Sequence, residues 1–214
     1  ERRGLPLKEV TRAKTREQLF AALAAEAAAC RLCPAMCGRR AVLSERNGTL
    51  RPRVLFIGEA PGRQGGDRTR VPFSGDQSGR NFGRYLSSIS LTREEIFITN
   101  AALCNPRQET GANRKPTAAE VLNCSPYLRR QLEILDPPVV VTLGAVSLAA
   151  LKLVEYHELT LKDNAGGVHE WNGRLLVPVY HPSPQVLASH RREDAQLRDY
   201  QSIARALERS EVPR

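Results

Sequence analysis

The sequence predicts a single α/β domain: a mainly parallel, four-stranded central sheet flanked by helices on both faces. Two observations carry this expectation. Short apolar runs that end in Gly or a polar turn alternate with Ala-, Leu- and Glu-rich segments, and such alternation closes through right-handed βαβ crossovers. The 214 residues also suit one core, and no linker long enough to split them is visible. The domain is expected to span residues 1–214, with 1–16 a loose N-terminal extension.

Residues 17–30 (EQLFAALAAEAAAC) are rich in strong helix formers and read as the first helix. Residues 31–52 read as a loop, with Asn47-Gly48 marking a turn. The run 53–58 (RVLFIG) is apolar and stopped by Gly, as a strand buried on both faces would be. A Gly-rich loop follows over 59–79, then a helix over 81–89 and a second strand over 95–100. Thr117 opens a helix reaching 135, and Glu120 three residues later completes a capping box. A third strand is expected over 138–144, a helix over 145–153, a fourth strand over 175–180 and a last helix over 194–207.

In sheets of this kind ligands collect beyond the carboxyl ends of the strands. Three polar clusters lie there: Gly58-Glu59-Ala60-Pro61-Gly62 after the first strand, Asn100 after the second and His181 after the fourth. The topology predicts that they converge.

Lys and Arg number 32 against 23 Asp and Glu, a net charge of +9. That surplus, dominated by Arg, points to a polyanionic partner, because Arg makes bidentate phosphate contacts and releases condensed counterions. No apolar run approaches the ~20 residues of a membrane span. The first residues show no apolar signal core, so a cytoplasmic setting is expected. There, cysteines serve as thiols or metal ligands more often than in disulfides.

The loop after the first strand has neither the glycine spacing of a dinucleotide fold nor the ending of a P-loop. Its continuation, Arg63 to Gly75, gathers Asp67, several arginines and an isolated aromatic, Phe73. Glycine lets backbone approach a ligand closely, and a planar base stacks on a phenyl ring.

The order Gly-Glu-Ala-Pro-Gly, Asp67, Pro72-Phe73-Ser74-Gly75, Ile98-Thr99-Asn100 and His181-Pro182-Ser183 resembles the uracil-DNA glycosylase superfamily, closest to its iron–sulfur branches, families 4 and 5. Glu59 resembles family 4. The Gly-Gly-Asp-Arg-Thr stretch, Gly75-Asp76 and Pro184 resemble family 5, which accepts more kinds of damaged base, so the range of bases stays open. The resemblance implies a bacterial or archaeal enzyme, acting as a monomer on uracil-containing DNA and leaving an abasic site.

Cys30-x-x-Cys33, Cys104 and Cys124 form a four-thiolate set that by spacing alone suits Zn²⁺ or a [4Fe–4S] cluster. The resemblance implies a structural [4Fe–4S] cluster on these four, with Cys37 a spare thiol. It also implies the roles at the site. Phe73 stacks on an extruded uracil, and Asn100 pairs with its O4 and N3–H. His181 donates to O2 and holds the anionic leaving group. Asp67 orients the attacking water, with Glu59 shaping the pocket or sharing that water, while Gly58 and Gly62 let the base approach. After His181, the stretch with Ser183, Gln185, Leu187 and Arg191 resembles the loop that enters the duplex. The alternatives are release of other bases (hypoxanthine, xanthine, or thymine opposite guanine) and a non-catalytic, metal-stapled nucleic-acid-binding protein.

Overall fold

The computed structural model describes residues 13–36 and 38–211; Cys37 and most of the expected N-terminal extension lie outside them. Helix α1 (Arg16–Ala29) starts on Thr15, whose hydroxyl accepts from the Gln18 amide while Gln18 caps in return.

The sheet has five strands rather than four. In chain order they are β1 (Val54–Gly58), β2 (Ile96–Asn100), β3 (Val139–Leu143), β4 (His169–Trp171) and β5 (Arg174–Val179), arranged spatially β2-β1-β3-β5-β4. All neighbours pair in parallel except β4, which runs antiparallel to β5. The strand missed in the sequence is three residues long and begins with His169 and Glu170, too short and too polar for the apolar-run criterion. Its signal was the Asn172-Gly173 pair, both at positive φ, the dipeptide that closes a tight hairpin.

Side chains alternate across the central strands. Leu55, Ile57, Phe97, Val140 and Leu176 face one core with Phe20 and Leu23 of α1 and with α4 (Ala118–Leu135) and α5 (Ala145–Leu151). Val54, Phe56, Ile98, Val141 and Val177 face the other, beneath α3 (Gln77–Ser87) and α8 (Glu193–Glu211). Both faces are thus covered, as the unbroken apolar strands required. The capping box of α4 forms as read, Glu120 bonding the Thr117 amide at 2.8 Å. The Gly-rich loop is less irregular than expected. It holds a single helical turn, α2 (Gly66–Thr69), and α3 begins on Asp76, whose carboxylate caps the Gly79 amide.

Two further short helices are α6 (Leu161–Asn164), and α7 (Pro184–Ser189), where a loop was expected.

Candidate active site

Strands β1, β2, β3 and β5 end on the same side of the sheet because they are mutually parallel. Their loops enclose a cleft of about 740 Å³, lined among others by Glu59, Phe73, Asn100, Lys115, His181 and Gln185. The three clusters expected to converge do so.

Gly58 and Asn100 are register partners at the ends of β1 and β2. A Cβ at position 58 would stand 2.6 Å from Asn100 Oδ1 and in ordinary contact with the Phe73 ring at 3.5 Å, so glycine leaves the Asn100 amide its place. The Phe73 ring lies 5.4 Å from the His181 ring, the planes tilted by 38°. Phe73, Asn100 and His181 therefore border one slot. Phe73 adopts φ +50°, a left-handed conformation that costs a non-glycine residue on the order of 1–2 kcal/mol.

His181 is anchored through the backbone. Gln196 of α8 donates to its carbonyl at 3.2 Å, and Asn81 of α3 donates to the Pro182 carbonyl at 2.9 Å. Burial pulls the imidazole pKa down to about 4, partly opposed by the Asp76 carboxylate. The ring is thus neutral in ordinary solution, with one N–H to donate.

Glu59 follows β1 directly and lines the cleft. Burial raises its carboxyl above the usual range, and the nearby Lys115 ammonium pulls the other way. Asp67 stands differently. Its neighbours Gln64 and Gly66 line the cleft whereas Asp67 does not, and its carboxylate accepts from Arg107 at 2.6 Å and lies 3.7 Å from Arg70. Arg107 also donates to Asn105 at 2.5 Å, and Asn105 donates to the Pro61 carbonyl at 2.6 Å. This chain of contacts ties Asp67 to the Pro61 carbonyl of the Glu59–Gly62 segment. Asp67, expected to face the reacting sugar, is thus ion-paired with Arg107 beside the cleft-lining residues Gln64 and Gly66. Gly62 itself lines the cleft and accepts from the Gly65 and Asp67 amides.

Ser183 caps α7, accepting from the Val186 amide at 3.4 Å, and with Gln185 it borders the cleft. Leu187 lies half-buried on α7, outside the cleft lining. Arg191 is already paired: its guanidinium grips the buried Asp199 at 2.6 and 3.0 Å and stacks over Tyr180. It therefore brings less free charge to DNA than a bare arginine would.

The four cysteines share one neighbourhood. Cys104 is pushed up to about 12 by burial first, then by Cys124, Cys30 and Cys33, and burial lifts Cys124 to about 11. Asn123 donates to Cys33 Sγ at 3.4 Å, and the Tyr127 hydroxyl bonds Cys30, the kind of outer contact that orients sulfur ligands. Among the described residues, no group of three or more His, Cys, Asp and Glu side chains is placed to hold a metal ion. Their thiols, close enough to raise one another's pKa, make up a four-sulfur donor set.

Sequence reasoning missed Asn81, Gln196, Asn105 and Lys115. The first two had a signal: each is a polar residue on the apolar face of its helix, in line with Tyr85 and Tyr200.

Residues 46–205 match the family profile of the uracil DNA glycosylase superfamily. The chain is 32% identical over 170 residues to a Type-4 uracil-DNA glycosylase of Thermotoga maritima, covering 79% of this chain and 84% of that protein. It is 35% identical over 152 residues to a Type-4 uracil-DNA glycosylase of Archaeoglobus fulgidus, covering 69% and 73%. A Type-5 uracil-DNA glycosylase of Pyrobaculum aerophilum is 34% identical over 151 residues, covering 64% of each chain. The matched span runs from before β1 into α8 and contains every loop that builds the cleft. The chain belongs to the uracil DNA glycosylase superfamily.

Proposed function

We propose that this protein removes uracil from DNA by flipping the nucleotide into the cleft and hydrolysing the bond between uracil N1 and deoxyribose C1′. The observation that carries this reading is the single slot bordered by an aromatic ring, a carboxamide and a neutral imidazole. An extruded base stacks on Phe73. The Asn100 amide accepts from N3–H and donates to O4, the reverse of what cytosine offers. As the N1–C1′ bond breaks, its electrons leave with the base. The His181 N–H faces the charge developing at O2, a donor already in place before reaction.

Water attacks C1′ from the opposite side and must lose a proton. We assign that water to Glu59, which lines the cleft, and leave Asp67 to brace the loop. The ionised form of Glu59 is the active one, so uracil release falls as pH drops through its raised pKa. Lys115→Met removes the charge that lowers this pKa, and the acid limb of the pH–rate profile then moves to higher pH. The test follows uracil release from a uracil-containing duplex across pH for both proteins. An unmoved limb removes Glu59 from the role, and no release at any pH refutes the activity.

Cys30, Cys33, Cys104 and Cys124 are the residues that would hold a [4Fe–4S] cluster, whose contribution when bound is to tie the segment after α1 to the β2 loop and α4. Purified protein then shows iron–sulfur absorption in the visible range, absent after Cys104→Ser; a colourless wild type with all five cysteines titratable contradicts the assignment. A monomer suffices, since one chain builds the whole cleft. Ser183 and Gln185 at its rim are assigned to the flanking DNA backbone, and Leu187 to the gap left by the flipped base.

A further inference from the structure

Phe73 holds a left-handed backbone that bulky residues avoid. It also borders a second hollow of about 330 Å³, together with Val71, Ser74 and Arg93. Open space beside a strained residue gives its segment somewhere to relax, so something else must hold it.

Arg93 begins the short 3₁₀ turn Arg93–Glu95 that leads into β2. One of its guanidinium nitrogens, Nη2, donates to the Pro72 carbonyl at 2.8 Å and to the Phe73 carbonyl at 2.7 Å. Its Cζ lies 5.6 Å from the centroid of Phe82, a cation–π distance. Phe82 in turn packs 4.8 Å from Phe73. Gly79 of α3 lies close to the same carbonyl: a Cβ there would fall 2.4 Å from the Phe73 oxygen and 2.7 Å from its carbon. The peptide after Phe73 is therefore gripped between α3 and Arg93. The strand that Arg93 leads into ends at Asn100, so one element sets both the stacking ring and the amide that reads the base.

We propose that Arg93 is a positioning residue for base recognition: its hold on the Pro72 and Phe73 carbonyls fixes the left-handed turn that sets the Phe73 ring across the slot. This rests on the reading of Phe73 as the stacking face. Phe82 carries the guanidinium on one side and the Phe73 ring on another, so the clamp and the ring move as a unit. Removing the guanidinium releases the turn toward ordinary backbone and lets the ring leave the base.

The test is a double-mutant cycle on single-turnover uracil excision with wild type, Arg93→Ala, Phe73→Ala and the double variant. Arg93→Ala is expected to lower excision roughly tenfold, the factor that about 1.4 kcal/mol represents. In the Phe73→Ala background the same change is expected to cost less than about twofold, because contacts acting through one group are not additive. Arg93→Lys falls between, since an ammonium on a flexible stem does not reproduce the rigid guanidinium. If Arg93→Ala fails to fold, Arg93→Lys takes its place in the cycle. Equal losses in both backgrounds overturn the proposal, as does no loss with Phe73 intact. Full activity of Phe73→Ala alone would instead strike down the stacking reading on which it rests.

Discussion

His181→Ala lowers the single-turnover rate of uracil excision by at least roughly a hundredfold, the cost of removing one preorganised donor from a developing anion. The loss falls on the chemical step, so binding of a duplex carrying an abasic site stays within a few-fold of wild type. The backbone anchors of this residue, from Gln196 and Asn81, do not involve its side chain, and the alanine variant keeps the loop in place. A second readout is stability. Burial depresses the His181 pKa to about 4 in the folded state, against about 6.5 when unfolded. Between these values the unfolded chain binds more protons. Stability from the neutral ring is therefore complete above about pH 6.5 and lost as pH falls toward 4. The alanine variant lacks this part of the acid sensitivity. A loss of less than tenfold in rate would remove His181 from the leaving-group role.

Asn100→Ala is expected to cost at least as much. The amide sits buried at the end of β2 beside Gly58, and its removal leaves O4 and N3–H of a desolvated base unpaired, a loss of about 1–3 kcal/mol for each group. Together these reach two to three orders of magnitude in kcat/KM, and discrimination against cytosine disappears with them. Melting temperature is the control. The amide contributes recognition rather than core packing, so the variant unfolds close to wild type. An Asn100→Ala protein that excises uracil normally would show that the base is read elsewhere.

Much of this site was legible in the sequence because its residues punctuate strands. Gly58, Asn100 and His181 each follow an apolar run, and in a parallel sheet the ends of such runs meet. Phe73 stood out as a lone ring in a glycine-rich loop. What stayed hidden depends on contacts between distant segments. Which of Asp67 and Glu59 lines the cleft cannot be read from two acids eight positions apart, because Arg107, 40 residues further on, pairs with the Asp67 carboxylate. Arg191 looked like free positive charge until Asp199 appeared beside it. The β4 hairpin was overlooked since three residues give no periodicity, although Asn172-Gly173 announced its turn. The stretch after His181 folds into α7 because Ser183 caps it and Pro184 occupies its first turn, a start signal plain in the sequence once sought.

The most direct test is release of free base from matched oligonucleotides, single- and double-stranded, each carrying one uracil, cytosine, thymine, hypoxanthine or xanthine. Wild-type protein is predicted to release uracil fastest, to leave cytosine untouched, and to lose the uracil reaction in Asn100→Ala. Release of a purine base with uracil left in place would contradict a slot built around a pyrimidine O4 and N3–H.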